Sequence, residues 1–440
     1  MIGRNETDRS ISAALGTRAN AMLDALAEIS AQEDGLTRTY LSREHRLAAE
    51  LIAGWMNDVG MQVTIDGLGT VRGRHEPSST RRNSDRIFLI GSHIDTVVDA
   101  GRFDGMLGVV AGILAVEELQ AREIELPFIV DVLAFGDEEG TRFPTNLLSS
   151  SGVCGSIAPE EFDRIDARGV TVRRALQQFH NGNWSVPNSG RLMDIIATDP
   201  SLDGLAYDRD KVLGYLEMHI EQGNVLEHEG LAVGIVTDIT GSNRYTCAVQ
   251  GTAGHAGTVP MNLRQDAFAA TAELALRIEE IAKSRQDVSM VATVGKISVD
   301  PGAINVIPGR VDFTLDLRAS EDEARYEAMD LIREAADQIG IRRGVAFDFR
   351  HIQEVLKTPC SKMFDEKIGE AFEQLNLPGF RLPSGAGHDG QAMVNLTDIG
   401  MIFVRCRGGV SHSPKEFVEE EDMTVAIEAM IATLEAFGRD

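Results

Sequence analysis

Histidine and aspartate stand two residues apart in Gly91-Ser92-His93-Ile94-Asp95-Thr96, and a further aspartate follows in Gly101-Arg102-Phe103-Asp104-Gly105. Imidazole and carboxylate are ligands of borderline divalent cations, so this stretch reads as half of a metal site. An aspartate before a glycine-started apolar helix is also an ordinary N-cap, and the stretch alone does not decide between the two. Other segments supply what it lacks: Glu138 and Glu139 in Asp137-Glu138-Glu139-Gly140, His219 in His219-Ile220-Glu221-Gln222-Gly223, and His412 in Ser411-His412-Ser413-Pro414. Three imidazoles with two carboxylates exceed the four positions of one tetrahedral centre. A two-metal site fits better, because one carboxylate can bridge cations roughly 3.5–4 Å apart. Adjacent acids usually mark a solvated surface, but Glu138 and Glu139 follow a fully apolar run, which makes them candidates for chemistry.

Each of these residues needs an element to deliver it. Ile87-Phe88-Leu89-Ile90 is a continuous apolar run, the pattern of a strand buried on both faces of an α/β sheet, and ligands gather at the carboxyl ends of such strands. The spacing predicts a helix from Gly105 to Gln120 and a second buried strand from Phe128 to Phe135, so strand, helix and strand imply a parallel βαβ unit. Helices are also expected at Thr17–Ser30, where Met22, Leu26 and Ile29 recur at helical spacing, and at Ser42–Val59, with a strand at Met61–Ile65 after them. Arg74 to Asp85 is polar and rich in Ser and Arg, which predicts a surface loop. Between Ser156 and Lys211 little can be placed beyond Asn-Gly-Asn and Pro-Asn-Ser-Gly turns.

From about residue 233 the texture changes. A strand at Tyr245–Gln250, a helix at Gln265–Ala282, strands at Ser289–Lys296 and Arg310–Leu317, a helix at Glu321–Ile339 and a strand at Val345–Arg350 follow the ferredoxin-like order. Residues 233–351 therefore read as an inserted α+β domain. Residues 1–232 and 352–440 form the other, an α/β domain with a mostly parallel sheet. Its last part contains a helix at Ser361–Leu375, a strand at Gly400–Val404 and a final helix from Glu421.

A chain of 440 residues is long enough for two domains, at roughly 150 residues each as a prior. The net charge of −26 argues against nucleic acid or an anionic membrane surface as partner, since both call for a basic face. No stretch approaches the roughly 20 apolar residues that span a bilayer, and Met1 to Asn20 lacks the basic-then-apolar pattern of a signal peptide, so a cytoplasmic protein is expected. Cys154, Cys247, Cys360 and Cys406 are far apart with no Cys-x-x-Cys pair, which argues against a zinc ribbon or a disulfide framework.

Seven motifs, GSHIDT (91–96), GRFDG (101–105), GDEEGTRF (136–143), HIEQG (219–223), GTAGHAGTVPM (251–261), SGAGHDGQAM (384–393) and SHSPKE (411–416), occur in this order over most of the chain. Together they resemble the M20 metallopeptidase-like amidases of the hydantoinase/carbamoylase group. The resemblance implies a dinuclear metallohydrolase domain and a smaller inserted domain that acts as lid and dimerisation surface. It implies two divalent ions per subunit (zinc, manganese, cobalt or nickel, with zinc or manganese favoured). Asp104 matches the bridging carboxylate, His93 and His219 complete one ion, and Glu139 and His412 complete the other. Glu138 matches the general base, and Asp95 the carboxylate that orients His93. For substrate the resemblance nominates Gln222, His255, Asn305 and Arg318, with Arg244, Gly387 and His388 as weaker candidates. His255 would reach the partner subunit's site in a homodimer.

The implied reaction is hydrolysis of the carbamoyl C–N bond of an N-carbamoyl-L-amino acid, giving the amino acid, carbon dioxide and ammonia. Allantoate is the next substrate in rank, with N-carbamoyl-β-alanine and ureidoglycolate beside it, all small ureido-carboxylates. A dipeptidase is disfavoured because His219 stands where peptidases of the wider superfamily tend to use a carboxylate. A non-catalytic binding protein would be expected to have lost a ligand or Glu138, and all are present.

Overall fold

The computed structural model describes residues 6–77, 85–182, 197–198 and 204–439, with the side chains of residues 6–14 and 197–198 left aside. Residues 78–84 of the polar stretch expected as a loop lie outside the described residues. So do the Pro-Asn-Ser-Gly turn and the last residue of Asn-Gly-Asn. The chain divides into two compact units: Met1–Thr237 with Cys360–Leu382 and His388–Asp440, and Asp238–Pro359 with Pro383–Gly387.

The first unit is built on a sheet whose central strands lie in the order Ile399–Val404, Val212–Ile220, Ile87–His93 and Ile129–Phe135, each parallel to its neighbour. Helix Met106–Ala121 connects the last two and packs against helices Glu6–Ala27 and Glu420–Gly438. The strands Ile87–His93 and Ile129–Phe135 are buried along their whole length, which is why they read as apolar runs, with Asp131 the one charged residue inside the second.

Outside this parallel core the pairing reverses. Val233–Ile239 runs antiparallel to Ile399–Val404, Val71–His75 antiparallel to Ile129–Phe135, and Gln62–Ile65 antiparallel to Val71–His75. The sheet is therefore mixed, and the expectation of a mostly parallel one holds only for its centre. The reason is connection length. Gln62–Ile65 and Val71–His75 are joined by a tight turn in which the Asp66 carboxylate accepts from the Leu68 and Thr70 amides, and so short a link joins only antiparallel strands. Arg74, expected in a loop, lies in this ladder and forms a two-point ion pair with Asp131 at 2.8 and 2.7 Å.

Helix Arg43–Asp58 starts on Ser42, whose hydroxyl accepts from the His45 amide, and buries His45 completely between Tyr40 and Phe179. His45 Nδ1 accepts from the Leu41 amide, so the ring is neutral. Burial, with the charges of Arg38, Arg46 and Arg142, lowers its pKa from 6.5 to about 3. A depressed folded-state pKa stabilises the fold fully above the unfolded value and loses that contribution as pH falls. Stability should thus decline by about 1.4 kcal/mol per pH unit on this residue's account as the pH falls from about 6.5 towards about 3. Denaturant titrations across that range should show the slope in the wild type and its loss in His45→Gln.

The second unit is a four-stranded antiparallel sheet in the order Val291–Asp300, Arg310–Ala319, Gly241–Gln250, Ala346–Val355. Tyr245, Cys247 and Val249 alternate inward from Gly241–Gln250 to pack on helices Ala267–Lys283 and Asp322–Arg343. Strand, helix, strand, strand, helix, strand is the observed sequence of main elements here. Among the described residues no helix is long and apolar enough to cross a membrane, and none of the four cysteines is in a disulfide.

Candidate metal centre

The four parallel strands deliver the candidate ligands from their carboxyl ends. His93 closes Ile87–His93, His219 is the penultimate residue of Val212–Ile220, Glu138 and Glu139 follow Ile129–Phe135, and His412 lies beyond Ile399–Val404. Asp104 comes from the turn before helix Met106–Ala121. That turn depends on Gly105, which has φ 70° and packs so tightly under His93 that an added Cβ would stand 2.4 Å from the imidazole.

His93 Nε2 and His219 Nε2 face each other at 3.4 Å, and Asp104 Oδ1 lies 3.5 Å from the first and 3.1 Å from the second. The other oxygen, Oδ2, is 3.3 Å from His412 Nε2, which is in turn 3.6 Å from Glu139 Oε2. Among the described residues three groups of ligand atoms are close enough to hold an ion: His93–Asp104–His219 and Asp104–Glu139–His412, two triads sharing one carboxylate that turns a different oxygen to each, and His93–Glu138–Glu139. Ligand atoms about 2.0–2.1 Å from a tetrahedral zinc stand roughly 3.3–3.4 Å apart, so these separations suit a cation at the centre of each triad. The tautomers agree. His219 Nδ1 donates to the Ile220 carbonyl at 2.9 Å and His93 Nδ1 to the Asp95 carbonyl at 3.0 Å, leaving both Nε2 lone pairs turned inward.

The electrostatics favour positive charge. Burial alone would lower the pKa of His93, but Asp104, Glu138 and Asp95 outweigh it and hold it well above the usual value. His219 and His412 are raised as well: at His219 burial opposes Asp104 and loses, and at His412 the hydrogen bond with Asp104 leads. Burial would raise Asp104, yet the three imidazoles pull it well below the carboxylate range. Burial, then repulsion from Asp104, lifts Glu139 to about 7. Glu138 is pushed well above its ordinary value by burial and by Glu139, Asp389 and Asp95, against the opposing pull of His93. A pocket of this kind holds protons when empty and cations when filled.

The remaining candidates fall into two sets. In the first unit, Asp95 is fully buried and its two oxygens accept from the Glu138 and Glu139 amides, so it fixes the acidic pair as well as contacting His93. Gln222, expected to contact substrate, donates from Nε2 to Asp104 Oδ2 at 2.9 Å and to Ser411 Oγ at 3.1 Å. His388 is buried edge-on against the His219 ring. In the second unit, Arg244 and Arg318 share Asp316 and line a cavity of about 580 Å³ with Tyr245, Thr314 and Gly385. His255 and Asn305 are exposed neighbours, linked through the bond from the Ala256 amide to the Asn305 carbonyl, and Gly387 is exposed at the end of its short segment.

Three contributors were not foreseen from sequence. Glu217, fully buried, accepts from Ser92, Tyr215 and the Gly390 amide beneath the histidine pair. Ser411 and Glu416 are bonded to the Asp104 turn and to each other. The two-residue alternation that brings Glu217 to the face of His219 was readable. The long-range bonds of Glu416 were not.

Residues 89–436 match Peptidase family M20/M25/M40. The chain is 38% identical to an allantoate deiminase of Arabidopsis thaliana over 96% of its length and 83% of that protein. It is also 38% identical to an N-carbamoyl-L-amino acid amidohydrolase of Geobacillus stearothermophilus, over 95% of this chain and 98% of the other. Its structure is similar to that of a hydantoinase/carbamoylase family amidase from Burkholderia multivorans, with a TM-score of 0.83, 28% identity, and coverage of 96% and 97% of the two chains. On the strength of these relatives, the chain belongs to the M20/M25/M40 family, among the hydantoinase/carbamoylase amidases, and is a hydrolase of C–N bonds other than peptide bonds.

Proposed function

We propose that this chain hydrolyses the carbamoyl C–N bond of an N-carbamoyl-L-amino acid at a dinuclear centre. The observation that carries this reading is the division of the Asp104 carboxylate between two triads. His93, His219 and Asp104 would hold one divalent ion, and Asp104, Glu139 and His412 the other, with zinc or manganese favoured. Two such ions supply polarisation of the ureido carbonyl and a more acidic water.

The chain's own residues do the rest. Glu138, made basic by burial and by its acidic neighbours, takes the proton of the attacking water and passes it to the departing amine. Asp95 fixes Glu138 and Glu139 through their amides. Arg318 pairs with the substrate carboxylate, with Arg244 beside it, and Gln222, Asn305, Gly387 and His388 shape the surroundings. His255 of the partner subunit donates to the carbonyl oxygen as negative charge develops there. In this reading the second unit is the lid and the dimerisation surface of a homodimer, and the protein works in the cytoplasm, in keeping with cysteines that form no disulfide.

Allantoate is the second reading, favoured by an identity to an allantoate deiminase equal to that of the carbamoylase. Ammonia release by metal-reconstituted protein on N-carbamoyl-L-amino acids, N-carbamoyl-β-alanine, allantoate and ureidoglycolate separates the readings, with a dipeptide assayed alongside. Turnover of the carbamoyl amino acids supports the first, turnover of allantoate alone the second, and cleavage of the dipeptide alone defeats both.

Replacing Arg318 by Lys keeps the charge and loses the planar two-point contact. A charge-assisted hydrogen bond contributes about 1.5–3 kcal/mol, so KM should rise roughly 10–100-fold with kcat little changed. Steady-state kinetics on the best ureido substrate check this.

A further inference from the structure

We infer that Glu416 is a positioning residue that builds the Asp104–Glu139–His412 half of the centre, an inference that rests on the dinuclear reading above. Its carboxylate is 5% exposed, and Oε1 accepts from the amides of Phe103 and Asp104 at 2.8 and 3.1 Å. The other oxygen, Oε2, lies 3.1 Å from the hydroxyl of Ser411, the residue before His412. That hydroxyl is also 2.9 Å from Asp104 Oδ2, the oxygen turned towards His412. One carboxylate therefore ties the turn that presents Asp104 to the turn that presents His412.

Other features show that the chain is built around this contact. Gly101 leaves the space that Glu416 fills: an added Cβ would stand 2.2 Å from Oε1. His412 has φ 53°, a left-handed conformation that a histidine keeps only where its surroundings impose it, and Glu416 closes the turn behind it with a bond from its amide to the Ser413 carbonyl at 3.0 Å. His93 and His219 need none of this. They are set by strand pairing and by backbone carbonyls, so in the half they form only Asp104 is tied to Glu416, and that half uses Oδ1, whereas Ser411 bonds Oδ2.

The hydrogen count defines the conservative variant. Ser411 has one proton and two carboxylate oxygens within reach, so a side chain at 416 that offers an acceptor to the two amides and a donor to Ser411 satisfies every group. Glutamine does both, and alanine does neither.

The test is metal stoichiometry and affinity by elemental analysis and competitive chelation on purified full-length protein, using zinc as the probe, with circular dichroism as the check on folding. Wild type should bind two ions per chain. Glu416→Ala should bind the first normally and the second about 10–100-fold more weakly, the size typical of losing a partner that orients a metal ligand. Glu416→Gln should restore the second ion. Gly101→Ala, which displaces the carboxylate without removing it, should reproduce the alanine defect, and it decides the matter should Glu416→Ala not fold. Two ions bound with unchanged affinity by Glu416→Ala, or by Gly101→Ala, would overturn the inference. So would equal weakening of both ions, or a glutamine variant as defective as alanine. A wild-type chain that binds a single ion overturns the dinuclear reading, and the inference with it.

Discussion

Glu138→Gln should bind two metal ions as the wild type does and turn over substrate about 10²–10⁴-fold more slowly, the range that a positioned general base contributes. Glu138 is grouped with His93 and Glu139, yet it is the acid of the cluster best placed to stay uncoordinated: its nearer oxygen is 3.9 Å from His93 Nε2, farther than the 3.1–3.6 Å at which Asp104 and Glu139 lie from the imidazoles of the two triads. Glutamine keeps the shape and leaves the backbone bond from residue 138 to Asp95 in place, but it cannot take a proton. The loss should therefore appear in kcat, with KM nearly unchanged. Elemental analysis beside steady-state kinetics gives the answer, and a variant within a few-fold of wild-type kcat would remove Glu138 from the role of base.

Asp104→Ala should strip both ions and reduce turnover below detection. Both triads use this one carboxylate, and among the described residues no other is grouped with both His219 and His412. Partners that only orient a ligand cost about 10–100-fold in affinity when removed, and the loss of a shared ligand should exceed that at both positions. Thermal unfolding gives a readout independent of catalysis. An ion at 100 times its Kd stabilises the native state by about 2.7 kcal/mol, so added zinc should raise the Tm of the wild type and leave that of Asp104→Ala unmoved. A metal-dependent rise retained in the variant would mean that the ions are held elsewhere.

The parts of this molecule that sequence makes legible are those governed by local patterns. Ile87–His93 and Ile129–Phe135 are buried on both sides, so their residues are apolar apart from Asp131 and the Ser92–His93 end, and a polar His or Glu at the end of such a run stands out. The alternation in Gly241–Gln250 and Arg310–Ala319 shows a one-sided sheet for the same reason. What escaped was set by distant partners. Arg74 and His75 open a polar stretch that looks like a loop until Asp131 is seen opposite Arg74 in the neighbouring strand. Glu416, in a Lys-Glu pair after Ser-Pro, has the composition of a solvated turn, and its amide partners lie more than 300 residues away in the chain. The bonds of Gln222 to Asp104 and Ser411 were equally hidden, since Ser411 lies 189 residues further along the chain. The expectation of a mostly parallel sheet extended the βαβ unit too far, past the short turn that reverses the chain at Asp66.

His93 and His219 sit side by side because Ile90 pairs with Leu216 three residues before each of them. Side chains along a strand alternate between the two faces of the sheet, so the histidine pair depends on chain length as much as on residue type. One residue inserted within Ile87–His93 or Val212–Ile220 would send an imidazole through the sheet into the opposite layer, with every ligand residue still present. An insertion at Gly169, where an added Cβ meets nothing within 4 Å, leaves the pairing untouched. Descendants of this chain are therefore free to lengthen at such surface turns, while these two strands can change only by substitution.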